Sequence, residues 1–235
     1  MSACASGGLR VFLAAFVACA ILTGGPAAAE GVALTFDDLP ALSLSDSTAY
    51  WTQTTRDLLA GLRRHHIRAT GFVNEEKLED DRVQRVGLLR QWLDAGMDLG
   101  DHTYSHLSLP NTPVDAYITD AIRGETVTRW PLKACGRTPR WFRHPYLETG
   151  KTLEDRRRFE AWLGAYGYRV APVSMENSDW MFAYRYDEAV GQGDVLSARR
   201  IQQEYLASRL NADSVDQLAA ILARDDLHPV TPTRP

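Results

Sequence analysis

The chain has 235 residues, of which 45% are hydrophobic and 24% charged, and its formal net charge is -4. That length bounds it to one domain or at most two, and the composition is that of a folded globular chain. The mild charge and the absence of any Lys/Arg block argue against a nucleic-acid binder.

At the N-terminus, Arg10 precedes an apolar run over residues 11–22. The run has the length of a signal-peptide core and is short for a membrane span. Gly24-Gly25-Pro26 breaks it, and Ala27-Ala28-Ala29 offers a small-residue cleavage site. Residues 1–29 are therefore expected to be a signal peptide, with export to the periplasm or the medium and no stable membrane insertion after cleavage. An uncleaved anchor and lipid attachment at Cys19 are the alternatives. Of Cys4, Cys19 and Cys135 only the last survives cleavage, so the mature chain makes no internal disulfide. Cys135 is expected to be a packed side chain.

Beyond residue 30 the pattern alternates. Strand-like runs fall at 31–36, 68–73, 97–100, 140–143 and 168–174. A helix is expected over 50–66, where Trp51, Leu58, Leu59 and Leu62 share a face, and another over 82–95, where Val86, Leu89 and Leu93 do. Further helical patterns cover 113–128, 151–166, 194–206 and 214–223. Strand–helix alternation predicts an α/β fold, a mainly parallel sheet with helices outside, as an open sheet or a barrel. No repeat or linker divides residues 30–228, and 229–235 form a Pro-rich tail. Parallel α/β architectures collect chemistry at the C-terminal ends of their strands.

The first strand ends in Asp37-Asp38. Two adjacent carboxylates repel each other and are costly to bury. A cation relieves one of them and leaves the other free to take a proton from water that the ion has acidified; alternatively the pair caps the next turn. The third run ends in GDHTYSH, where His102 and His106 stand four apart. With a carboxylate they make a zinc-type ligand set; alone, the spacing is a weak signal and they read first as surface or capping histidines. The next run ends in RWFRHPYLETG. There Arg143 can orient a base, Pro145 fixes the backbone and the Tyr146 N–H can meet an oxyanion, or the stretch is an ordinary strand exit. A later run ends in SMENSDWMF, with Glu176, Asp179 and the flat wall of Trp180; a core Trp with a capping Asp is the plainer reading.

Together these stretches resemble the polysaccharide deacetylase family, the NodB-homology carbohydrate esterases. Thr35-Phe36-Asp37-Asp38 is similar to its first motif, the segment from His102 to His106 to its second, Arg143-His144-Pro145-Tyr146 to its third, and Glu176-Asn177-Ser178-Asp179-Trp180 to its fourth, with Glu in place of Asp. The resemblance spans about residues 31 to 180. It implies a distorted, incomplete (β/α) barrel of parallel strands. It implies a divalent metal, most often zinc, on Asp38, His102 and His106, with Asp37 as general base steered by Arg143. Water on the ion would attack the acetamide of an N-acetylated amino sugar, and the oxyanion would lie between the ion and the Tyr146 N–H. Pro145, Glu176, Asp179 and Trp180 would shape the substrate groove.

Two departures stand beside the match. The family's fifth motif, a late strand ending in a general-acid histidine, is not found. The segment 208–214 looks like the loop and helix start that come after that strand in the family, as though a helix and a strand were missing between Ala207 and Ser208. His228 is the only late histidine, and its context is wrong. Asp101 replaces the usual Asn before His102 and adds an anion there. His65 and His66 lie near a predicted helix end and read as structural, while His144 either lines the groove or faces solvent. The sequence thus supports a deacetylase, a glycan-binding relative without the acid, or a metal amidase or esterase on a small substrate. The glycan, the metal and the oligomeric state are not legible in it.

Overall fold

The structure, a computed structural model, describes residues 31–174, 176, 178–207 and 228–229. The expected signal peptide, the loop over 208–214, the helix over 214–223 and the tail beyond Pro229 lie outside the described residues.

The chain alternates strands and helices as its periodicity requires. The strands are β1 (Gly31–Val32), β2 (Leu34–Leu39), β3 (Ala69–Val73), β4 (Asp98–Asp101), β5 (Trp141–Phe142), β6 (Arg169–Val170) and β7 (His228–Pro229). The helices are α1 (Thr48–Arg64), α2 (Arg82–Asp94), α3 (Val114–Arg123), α4 (Arg129–Ala134), α5 (Leu153–Tyr166), α6 (Asp179–Gly191) and α7 (Val195–Ala207). Strands β2 to β6 pair in chain order as a five-stranded parallel sheet, while β1 pairs with β7. This is the expected incomplete (β/α) barrel. Among the described residues no helix is long and apolar enough to cross a membrane.

Two cores hold the layers. The apolar faces of α1 and α2 supply Leu59, Leu62, Leu89 and Trp92, which pack with Val73 and Leu99 of the sheet. Tyr117 of α3 and Phe159 and Leu163 of α5 pack on Phe142 of β5. At about 25 cal/mol per Å2 of apolar surface removed from water, such burial is the main force closing the fold.

Several elements differ from expectation. The helix expected over 113–128 stops at Arg123 because Gly124 passes under another loop: a Cβ there would stand 2.5 Å from the Thr103 carbonyl carbon. The strand expected over 168–174 shrinks to two residues as it runs into Pro172, which has no N–H for the ladder. Helix α6 was not expected. Asp187 on it accepts hydrogen bonds from Ser43 Oγ at 2.6 Å and Leu44 N at 2.8 Å, latching the helix over the loop after β2. Cys135 is exposed at the end of α4 and not packed. His65 ends α1, in keeping with a structural role.

Candidate functional site

The exits of four of the sheet strands, β2, β4, β5 and β6, converge on one cavity of about 720 Å3. Its polar end begins at β2. In a regular strand neighbouring side chains point to opposite faces, so Asp37 and Asp38 cannot both face one cavity. The β2–β3 register resolves this: Phe36 pairs with Gly71 but Leu39 with Val73, which places one extra residue in β2. At this bulge Asp38 adopts a left-handed backbone with φ 63, and both acids line the cavity. Bulges re-aim side chains in this way.

Asp38, His102 and His106 each present one ligand atom, and these atoms lie within 4.8 Å of one another. His106 Nε2 is 3.6 Å from Asp38 Oδ1. His102 is buried, and its Nδ1 lies 2.8 Å from the Arg143 carbonyl oxygen. A carbonyl only accepts, so Nδ1 carries the proton and Nε2 is left with its lone pair. Burial pushes both imidazoles down to about 4, although Asp38 pulls the other way. For Asp38, burial pushes upward, but Lys77 and the two imidazoles outweigh it and hold the carboxyl below its usual range. Two neutral imidazoles and one ionised carboxylate are the protonation states that a divalent ion needs, so the donor set fits one.

The loop carrying both histidines is pinned from several sides. Asn74 Nδ2 donates to the His102 carbonyl at 2.7 Å, and the Ser105 N–H and hydroxyl donate to Asp120 at 3.1 and 2.7 Å. Thr103 and His106 take left-handed backbones, with φ 63 and 56. Non-glycine residues held so are strained, and such strain clusters at functional sites.

Beside this cluster stands Asp37. Arg143, its side chain only 4% exposed, donates from Nη1 to Asp37 Oδ2 at 3.2 Å and from Nη2 to Thr35 Oγ1 at 3.0 Å. Burial raises Asp37 to about 6, against the pull of Arg143 and with a push from Asp38. A carboxylate raised toward neutrality is a better base than an ordinary one. Tyr146 comes next in a tight turn opened by Pro145, with φ 57, and its ring meets that of His106 edge-on at 4.4 Å.

The cavity gathers Asp37, Asp38, His102, His106, Arg143, Tyr146, Glu176, Asp179 and Trp180. Pro145 is buried behind the turn and does not line it. The Glu176 carboxylate turns back on its own loop and accepts the Ser178 N–H at 2.6 Å. Asp101 is buried beneath the histidine loop. Its carboxyl is fully enclosed and accepts the Thr103 N–H at 2.7 Å, and burial beside Glu125, Glu75 and Asp120 holds it well above the usual range. His144 neither lines the groove nor faces solvent: it is buried against Phe142 and Phe159 at 5.2 and 5.3 Å.

Two contributors were not anticipated. Thr35 lies two residues before Asp37, on the same strand face, so period-two alternation could have found it. Lys77 lies just after β3, and its Nζ donates to Asp38 Oδ1 at 3.1 Å, the Asp38 carbonyl at 3.1 Å and the Ala41 carbonyl at 3.2 Å. Its only sequence cue is a cation soon after a strand end.

A family model described as polysaccharide deacetylase matches residues 24–161. A peptidoglycan-N-acetylglucosamine deacetylase from Bacillus cereus is 28% identical over 156 residues, 66% of this chain and 48% of that protein. The peptidoglycan-N-acetylglucosamine deacetylase PgdA of Listeria monocytogenes is 24% identical over 151 residues, 64% of this chain and 27% of that one. The chain therefore spans about half or less of the length of these relatives. Among solved structures, the family 4 carbohydrate esterase from Streptomyces lividans in complex with acetate superposes with a TM-score of 0.58 at 23% identity, covering 87% of this chain and 93% of that one. Peptidoglycan deacetylase PdaC from Bacillus subtilis gives 0.56 at 22%, covering 87% and 89%. These two likenesses show the fold.

Proposed function

The chain belongs to the polysaccharide deacetylase family, and from that premise we propose that it is a metal-dependent hydrolase removing N-acyl groups, acetyl in the first instance, from an amino-sugar glycan outside the cytoplasm. The observation that carries the reading is the meeting of Asp38, His102 and His106 ligand atoms within 4.8 Å, beside the Asp37–Arg143 pair.

Asp38, His102 and His106 would hold the divalent ion, zinc being the first choice for such a set. Bound there, it polarises the amide carbonyl and lowers the pKa of water. The remaining roles fall to the chain's own groups. Asp37 takes the proton from the attacking water through a carboxylate that Arg143 and Thr35 keep in place. The Tyr146 backbone N–H faces the negative charge developing on the carbonyl oxygen. Trp180, 51% exposed, offers its face to a sugar ring at the mouth.

One observation favours a second reading. Among the described residues the only histidines lining the cavity are His102 and His106, both assigned to the ion. The leaving amine then has no imidazole acid, and such a loss costs about 10²–10⁴-fold in rate. A glycan-binding relative with little turnover would share the same geometry. Metal content and acetate release from N-acetylglucosamine oligomers, measured on this chain and on Asp38→Ala, separate the readings. We expect one ion per chain, measurable acetate, and loss of both in the variant. Ion-dependent binding without acetate favours the second reading, and unchanged metal content in Asp38→Ala removes Asp38 from its role.

A further inference from the structure

The cavity is larger and more apolar than an acetyl group needs. Beyond the polar end it is walled by Phe36, Leu39, Leu42, Leu58, Trp92 and Val173. Leu39 and Trp92 are buried at 5% and 1% exposure and belong to the main core, with Phe36 and Leu58 packed against it. Phe36 meets Trp92 edge-on at 5.6 Å. The Trp92 indole N–H is buried with no hydrogen-bond partner. At the other extreme, Tyr146, Trp180 and Tyr184 line the same cavity yet stay 63%, 51% and 40% exposed. The cavity thus combines exposed aromatic residues, the Asp37 and histidine cluster, and a buried apolar wall.

An acetyl group brings one methyl to such a wall. A volume of about 720 Å3 falls in the range of pockets that enclose ligands far larger than acetate, roughly 300–1,000 Å3. We infer that this site accepts an amino sugar carrying a medium-length fatty N-acyl chain, with the sugar at the aromatic mouth and the chain on the Leu39–Leu58–Trp92 floor. The inference rests on the deacylase reading and names its substrate class. The chemistry is unchanged. The oxygen of water bonds to the acyl carbon, and the C–N bond breaks with its electron pair on nitrogen. Nitrogen takes one proton from water, and a fatty acid and a free amine result.

The test compares N-acetyl, N-butanoyl, N-hexanoyl and N-octanoyl chitobiose on the zinc-loaded full chain, tracking free amine and, in parallel, binding by calorimetry. Each methylene that reaches the floor is expected to raise kcat/KM or affinity about two- to fourfold, so the hexanoyl substrate should exceed the acetyl one by about tenfold or more. Leu58→Trp, which narrows the floor from α1, should reverse that ratio. Because added bulk can unfold a core, Leu58→Ala is run beside it, and its widened floor should move the optimum to a longer chain. Acetyl substrate that is bound or cleaved as well as hexanoyl, or better, overturns the inference and leaves the deacetylase reading intact. If no member of the series is bound or cleaved, the deacylase reading fails and takes the inference with it.

Discussion

Asp37→Asn should make the metal-free protein more stable while reducing its activity. Burial raises the Asp37 carboxyl from 3.8 to about 6, so the folded state favours the protonated form. The contribution of this group to stability is complete below pH 3.8 and is lost as pH rises through about 6. A shift of that size corresponds to about 3 kcal/mol at neutral pH. The Asp37 side chain is 30% exposed, and solvent screening brings the expectation down to about 1–2 kcal/mol. Asparagine keeps an oxygen for the Arg143 donor at 3.2 Å and removes the charge. Urea unfolding of both proteins in chelator, between about pH 4 and pH 8, measures the gap. The variant should gain its advantage as pH rises from about 4 to about 7, and hydrolysis by the zinc-loaded form should fall about 10²-fold or more. A gap that stays constant with pH, or a variant less stable at the alkaline end, would refute the claim that burial of this carboxylate opposes folding.

Three further outcomes rest on neighbouring contacts. Glu75 is buried, accepts the Val127 and Thr128 N–H groups, and is raised by burial from 4.5 to about 7. The wild type should therefore lose up to about 3 kcal/mol across that interval, and Glu75→Gln should lack this slope in denaturant titrations. In Gly124→Ala the new Cβ would stand 2.5 Å from the Thr103 carbonyl carbon and 2.7 Å from the Tyr104 nitrogen. Backbone must move, so calorimetry should show about 1–3 kcal/mol of destabilisation and zinc titration a weaker site, because this loop carries His102 and His106. Lys77→Met removes three ammonium contacts, two of them to Asp38. The metal-free protein should lose about 2 kcal/mol, and saturating zinc should shrink that penalty by neutralising Asp38 instead. An equal penalty with and without zinc would deny Lys77 its place as counter-cation.

How far the sequence carries the site depends on which physical rule governs each residue. Alternation of strands and helices is set by local periodicity, and it predicted the parallel sheet and the strand exits where Asp37, Asp38, His102, His106 and Arg143 meet. The helix α6 escaped because Trp180, Phe182 and Tyr184 recur at every second position, which reads as strand or loop as readily as helix; its tie through Asp187 to Ser43 spans 144 residues, and no local pattern announces it. From the motif His144 reads as a groove residue or a solvent-facing one, yet its ring turns inward, and only the packing of α3 and α5 on β5 decides that. The acidic doublet shows the same division most plainly. The residue types alone supply a reason for two adjacent carboxylates, one for an ion and one for a proton, but period-two geometry forbids them from sharing a face. The extra residue between Phe36 and Leu39 and the left-handed backbone of Asp38 remove that conflict, and Lys77 balances the charge so created. The pair is thus legible in the residues, but its arrival in one cavity depends on a backbone irregularity that only the paired strand β3 defines.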